Sequence, residues 1–138
     1  FPLGPRSNLA DLDPSLKGKL FYLEYYTAPN SYTLNGYMFA LLGLYDWSTV
    51  AGSSEAAGYF EQGIDTLTHI LPYYDMGSFS AYDLTYITYS KQPFLIPRKP
   101  HLVPRYHAMH IAQLLALWSV TNNQTLKATA EKWQSYVQ

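Results

Sequence analysis

A chain of 138 residues, 48% of them hydrophobic, suits one domain that buries roughly two thirds of its unfolded surface, with no need of a disulfide or metal staple. It has no cysteine and a net charge of −1, and its pI near 6.4 argues against a nucleic-acid binder. The longest apolar stretch, Ile111 to Trp118, falls far short of the ~20 residues of a membrane span.

The chain begins at Phe1, and its Pro- and Gly-rich opening, residues 1–14, reads as a linker or loop in a piece of a longer protein. Asp13-Pro14 supplies an N-cap with Pro at N1, so a short helical segment is expected through Leu16 and Leu20. Ala28-Pro29-Asn30-Ser31 is turn chemistry. Beyond it Leu34, Tyr37, Met38, Leu41, Leu42 and Tyr45 recur at helical spacing. Ala51-Gly52-Ser53-Ser54 breaks that helix and caps the next, whose face is Phe60, Ile64, Leu67 and Leu71 and whose expected end is Pro72. From Met76 to Pro104 the period dissolves into a Tyr-rich and then a Pro-rich stretch, with short strands expected around Phe79 to Tyr89. A second helix pair follows. His107, Ile111, Leu114 and Trp118 line one stripe, Asn122-Asn123 form the turn, and Leu126, Ala130, Trp133 and Val137 line the other. Two αα-hairpins around a Tyr/Pro-rich loop region predict a mainly α domain, part of an α/α toroid (an incomplete α/α barrel) whose site collects on the loops at one end.

The small net charge hides a segregation. Residues 20–90 hold seven acids and no Lys or Arg, whereas residues 84–130 hold five bases and no acid. The basic half, with Lys91, Arg98, Lys99, Arg105 and Lys127, favours an anionic partner. The chain also carries 14 Tyr, a side chain whose flat face stacks on sugar rings and whose hydroxyl seeks a partner. Three Tyr clusters fall in turns and not on helical stripes: residues 23–26, residues 79–84, and Pro104-Arg105-Tyr106-His107. The plain alternative for each is a loop aromatic that fills a gap in the core. His107 and His110 share a helix face, but no third metal ligand is evident, and nucleophile elbows and phosphate loops are missing.

The run Glu24-Tyr25-Tyr26-Thr27-Ala28-Pro29-Asn30-Ser31-Tyr32-Thr33-Leu34-Asn35-Gly36-Tyr37-Met38, followed by Gly43-Leu44-Tyr45-Asp46, closely resembles the start of the C-terminal domain of heparosan glucuronyl C5-epimerases. Later blocks agree in order: Leu71-Pro72-Tyr73-Tyr74-Asp75-Met76-Gly77-Ser78, Tyr82-Asp83-Leu84, Arg105-Tyr106-His107 with His110-Ile111, and Lys132-Trp133-Gln134-Ser135-Tyr136. The resemblance implies that residues 1–138 are a C-terminal α-helical catalytic domain. It would convert D-glucuronic to L-iduronic acid within heparosan or N-sulfated heparosan, without cofactor or metal. It implies catalytic roles for Glu24, Tyr25, Tyr82 and Tyr106. Arg98, Lys99, Arg105, His107 and Asn35 are the expected substrate contacts. It also implies a missing N-terminal region as partner, a homodimer, and the Golgi lumen as location if the source is an animal. The sequon Asn123-Gln124-Thr125 is compatible with that location. Two departures are visible: Thr85 stands where a basic residue often follows Tyr-Asp-Leu, and the loop from Tyr89 to Pro104 is longer.

The residue types suit the implied chemistry. Inversion at C5 removes a proton next to a carboxylate and returns one to the opposite ring face, so two acid/base groups must flank the sugar. A phenol, with a reference pKa near 10, is a good proton donor, and neighbouring cations such as Arg105 and His107 would assist it as a base. The expected division sets Tyr106, with Glu24, on one face and Tyr82 on the other, Tyr25 being secondary. The competing readings are a uronate polysaccharide lyase, which shares the first proton abstraction, and a non-catalytic acidic-glycan-binding module.

Overall fold

The computed structural model describes residues 6–7, 9–10, 12–23 and 28–138. The opening segment, expected to be linker or loop, contributes to the core, since Leu9 and Leu12 are buried. Strand β1 (Arg6–Ser7) pairs antiparallel with β2 (Phe21–Tyr22), Arg6 opposite Tyr22. Between them, the helical segment foreseen after Asp13 is a single 3-10 turn, Pro14–Leu16. Asp13 caps it by accepting the Ser15 N–H at 2.9 Å, and its other oxygen accepts the Tyr73 hydroxyl at 2.7 Å. These two bonds, the backbone one foremost, hold the Asp13 carboxyl below its ordinary pKa.

Helix α1 (Leu34–Val50) and helix α2 (Ser54–Tyr74) form the first hairpin. The Ser53 side chain accepts the Ala56 N–H at 3.1 Å, as its place before the apolar run predicts. The helices approach closely because residue 63 is glycine: a Cβ there would lie 2.3 Å from Leu41 Cδ2. The opened Gly63 carbonyl accepts the Tyr37 hydroxyl at 2.9 Å, and burial drives that phenol well above its ordinary pKa. Phe21 stacks on the Tyr37 ring at 4.3 Å, which ties β2 to α1. Helix α2 does not stop at Pro72 but continues to Tyr74. A proline so near the end removes only one ladder bond, and the last turn is anchored by the buried Tyr74, whose hydroxyl donates to Tyr32 O at 2.6 Å.

The strands expected around Phe79 to Tyr89 are absent apart from one isolated bridge between Asp75 and Ser80. In their place stands the short helix α3 (Thr85–Thr88). Asp83 explains it, since its carboxylate accepts both the N–H of Thr85 (3.1 Å) and its hydroxyl (2.8 Å), a local turn that competes with extended pairing. The second hairpin is α4 (Pro104–Thr121) and α5 (Gln124–Ser135). Asn122 closes α4 in the left-handed conformation at φ 56°, and Asn123 caps α5 through the N–H groups of Thr125 and Leu126. Helix α4 packs on both α5 and α1, so its buried arc is wide and includes His107, His110 and Gln113 beside Leu114 and Leu117. Val137, expected on the α5 stripe, is exposed. The fold is mainly α, two hairpins joined through α1 and α4.

Candidate active site

Tyr82 reaches the site on an extended segment with backbone hydrogen bonds on both sides. Its N–H donates to His101 O at 2.7 Å, and its carbonyl accepts the N–H of Leu34, at the start of α1, at 3.1 Å. Neighbouring bonds from Ala81 N to Tyr74 O (2.8 Å) and from Leu84 N to Ser31 O (2.8 Å) hold the same segment. Tyr106 arrives from a different element, the first turn of α4, which Pro104 initiates. The two half-buried rings meet at 4.5 Å between centroids, tilted by 46°.

Arg105 flanks this pair. The Arg105 guanidinium lies 5.1 Å from the Tyr106 ring centroid, with Nη2 3.5 Å from its hydroxyl, the outer limit of a hydrogen bond. His101 meets the Tyr82 ring edge-on at 5.1 Å. Beside it Thr85, Arg98, Lys99, Pro100, His101 and Leu102 line an open groove of about 560 Å³. Arg98 sits 4.3 Å over the ring of Tyr89, a contact that fixes a long side chain while leaving its charge toward solvent. The N-terminus of α4 adds its partial positive charge at the same place. Another cleft, about 410 Å³ between residues 18–22 and α2, contains the Lys19–Asp65 ion pair at 2.7 Å, so its cation is already matched.

Residues 4–135 match the family described as D-glucuronyl C5-epimerase C-terminus. The chain belongs to the D-glucuronyl C5-epimerase C-terminal family. It is 32% identical over 131 residues to the D-glucuronyl C5-epimerase of Caenorhabditis elegans, covering 86% of this chain and 20% of that protein. It is 27% identical over 120 residues to an uncharacterized protein of Methanocaldococcus jannaschii, covering 86% of this chain and 35% of that protein. The chain thus spans between a fifth and about a third of the length of these curated relatives.

Of the residues expected in this epimerase-family site, Arg98 and Lys99 line the groove, Tyr82 adjoins it through His101, and Tyr106 with Arg105 adjoins Tyr82. Glu24 and Tyr25 lie outside the described residues. His107 and Asn35 do not join the groove, for both are buried in the core. His107 faces away from Tyr106: its Nε2 meets Trp133 O at 2.9 Å and its Nδ1 meets Ser80 N at 3.0 Å. Asn35 is turned to α4, its Nδ2 at 3.8 Å from Met109 Sδ and its carbonyl accepting from Gln113 Nε2 at 3.0 Å. His101 was missed by sequence reasoning. Its one signal was its place in the Pro-rich basic segment, three residues after Arg98.

Proposed function

We propose that this domain takes part in C5 epimerisation of D-glucuronic to L-iduronic acid within a heparosan-type polysaccharide, with Tyr82 and Tyr106 as its acid/base pair. The observation that carries the reading is the contact of these two phenols, supplied by separate elements, at the edge of a groove lined by Arg98, Lys99 and His101. The rings touch each other, so a sugar would sit at their hydroxyl ends and not between their faces. Each hydroxyl must come within about 3 Å of C5 from its own side.

One deprotonated phenol takes the C5 proton, the electron pair passes into the adjacent carboxylate, and the other phenol returns a proton to the opposite face. No electron is gained or lost overall. The intermediate carries extra negative charge on the substrate carboxylate, which Arg105, with Arg98 and Lys99, would offset. Glu24 and Tyr25 belong to the same proposal through family resemblance. So do the anionic polysaccharide as partner, closure of the hairpins into a toroid by helices outside this chain, and homodimer formation.

Incubating the full protein with heparosan in deuterated water tests the reading. The expected result is deuterium at C5 and new iduronate signals by NMR, with chain length unchanged and no ultraviolet absorbance from an unsaturated product. Unsaturated product would establish a lyase, and polysaccharide binding without any exchange would establish a glycan-binding module; either contradicts the proposal.

A further inference from the structure

Behind the tyrosine pair lies a polar cluster that the chemistry above does not use. Ser80, His107 and His110 are all buried, at 1%, 1% and 0% exposure. Ser80 stands two residues before Tyr82, and His107 directly follows Tyr106. The Ser80 N–H lies 3.0 Å from His107 Nδ1, and the Ser80 hydroxyl lies 2.8 Å from His107 Nδ1 and 2.9 Å from His110 Nδ1. Phe79 stacks on the His107 ring at 4.1 Å and closes the cluster from the loop side.

The hydrogen bonds fix the protons. His107 Nε2 faces a carbonyl, that of Trp133, at 2.9 Å, so it carries the hydrogen and Nδ1 is the acceptor. That acceptor receives the Ser80 N–H, and the Ser80 hydroxyl bridges the Nδ1 atoms of His107 and His110. A second proton on His107 would set N–H against N–H at Ser80. Burial first, and His107 second, lower the His110 pKa to about 3, so His110 stays neutral at physiological pH.

We infer that Ser80, His107 and His110 form a positioning network that locks the segment bearing Tyr82 to the helix turn bearing Tyr106, and so sets the spacing of the two phenols. The inference rests on the proposed roles of those tyrosines. None of the three residues touches substrate; they act through Tyr82 and Tyr106. A displacement of about 1 Å in reacting groups can lower a rate by about 100-fold, so loosening this lock should reduce turnover without reducing capture of the polysaccharide.

The test compares His107→Asn, His107→Gln and Ser80→Ala in the full protein. Asn keeps an acceptor near the Nδ1 position and preserves the link to Ser80, whereas Gln keeps a donor near Nε2 and preserves only the link to Trp133. The network predicts that His107→Asn retains several-fold more turnover than His107→Gln, with KM for heparosan within about twofold of wild type. Ser80→Ala should lower kcat about 10-fold or more. A purely structural anchor predicts the reverse order of Asn and Gln, or equal losses, and would overturn the inference. A second readout is independent of turnover: NMR contacts between selectively labelled Tyr82 and Tyr106 rings should weaken in His107→Gln and Ser80→Ala and persist in His107→Asn. Unchanged ring contacts in all three would also overturn it. If the ring contacts respond as expected but Tyr82→Phe and Tyr106→Phe remain fully active, the network stands and the acid/base assignment falls.

Discussion

On the core side of α4, Ser80, His107 and His110 are buried and hydrogen bonded to one another; on the other side, residues 91–102 are exposed and carry Arg98, Lys99 and His101. Tyr106 lies at the boundary, half-buried, one residue from each kind of surroundings: Arg105 is exposed and His107 is buried. Under the proposed function the contrast meets two different demands. Proton transfer needs its groups held to a fraction of an ångström, which only close-packed, hydrogen-bonded neighbours provide. Capture of a long polyanion needs charge along a surface, and exposed cations on a Pro-stiffened segment supply it with little geometric demand. Substitutions at the tyrosines and their support should therefore act on turnover, and substitutions in the segment should act on affinity.

The largest effect expected is at the boundary itself. Tyr106→Phe removes one hydroxyl from a half-buried ring, so folding, read by circular dichroism and melting, should be unaltered. Turnover should fall ~10²–10⁴-fold, the usual loss for an acid/base group. Tyr82→Phe should behave alike. A variant with near-native turnover at either position would place that tyrosine with the exposed surface.

The next effect sharpens the buried side through pH. His110 titrates near its ordinary value of about 6.5 in the unfolded chain but at about 3 in the fold. The unfolded state thus binds the extra proton first. Stability contributed by the neutral ring is complete above pH ~6.5 and is lost as pH falls toward 3, by up to about 1.4 kcal/mol per pH unit. Chemical denaturation across that window should show this slope, and His110→Asn, which keeps an amide to hydrogen bond the Ser80 hydroxyl, should flatten it. An equal slope in both proteins would remove His110 from the buried network.

The smallest effect belongs to the exposed segment. Replacing Arg98 and Lys99 by Ala should weaken heparosan binding several-fold and reduce its sensitivity to salt, because each exposed cation contributes only about 1 kcal/mol or less. The melting temperature should not change. Loss of turnover at saturating substrate would contradict the division of labour.

Much of this division is legible in the sequence. The helical spacing from Leu34 to Tyr45, the Ser53 cap, the apolar stripe after the Pro-rich stretch and the Asn122-Asn123 turn place the long helices α1, α2, α4 and α5, and the run of bases after Lys91 marks the exposed segment. Tyr82 and Tyr106 could be picked out as tyrosines in expected turns, although Tyr106 lies in the first turn of α4 and only resemblance gave the pair a role. Spacing set His107 on the apolar stripe of α4, but it could not show how wide the buried arc is, because that depends on the distant α1 and α5. Ser80 carries no local signal at all, because its importance comes from side chains 27 and 30 residues away. The short α3 replaced the expected strands through one carboxylate, Asp83, whose turn bonds outweigh β propensity in Thr85 to Thr88.

The central claim is that Tyr82 and Tyr106 serve opposite faces of the same carbon. The most direct test follows solvent deuterium entering C5 of glucuronate-rich and iduronate-rich polysaccharide separately, with wild type, Tyr82→Phe and Tyr106→Phe. Two phenols on two faces predict that each variant loses exchange preferentially from one epimer, and that the epimer differs between the variants. Near-wild-type exchange from both epimers in both variants would contradict the account and leave the tyrosines as packing groups.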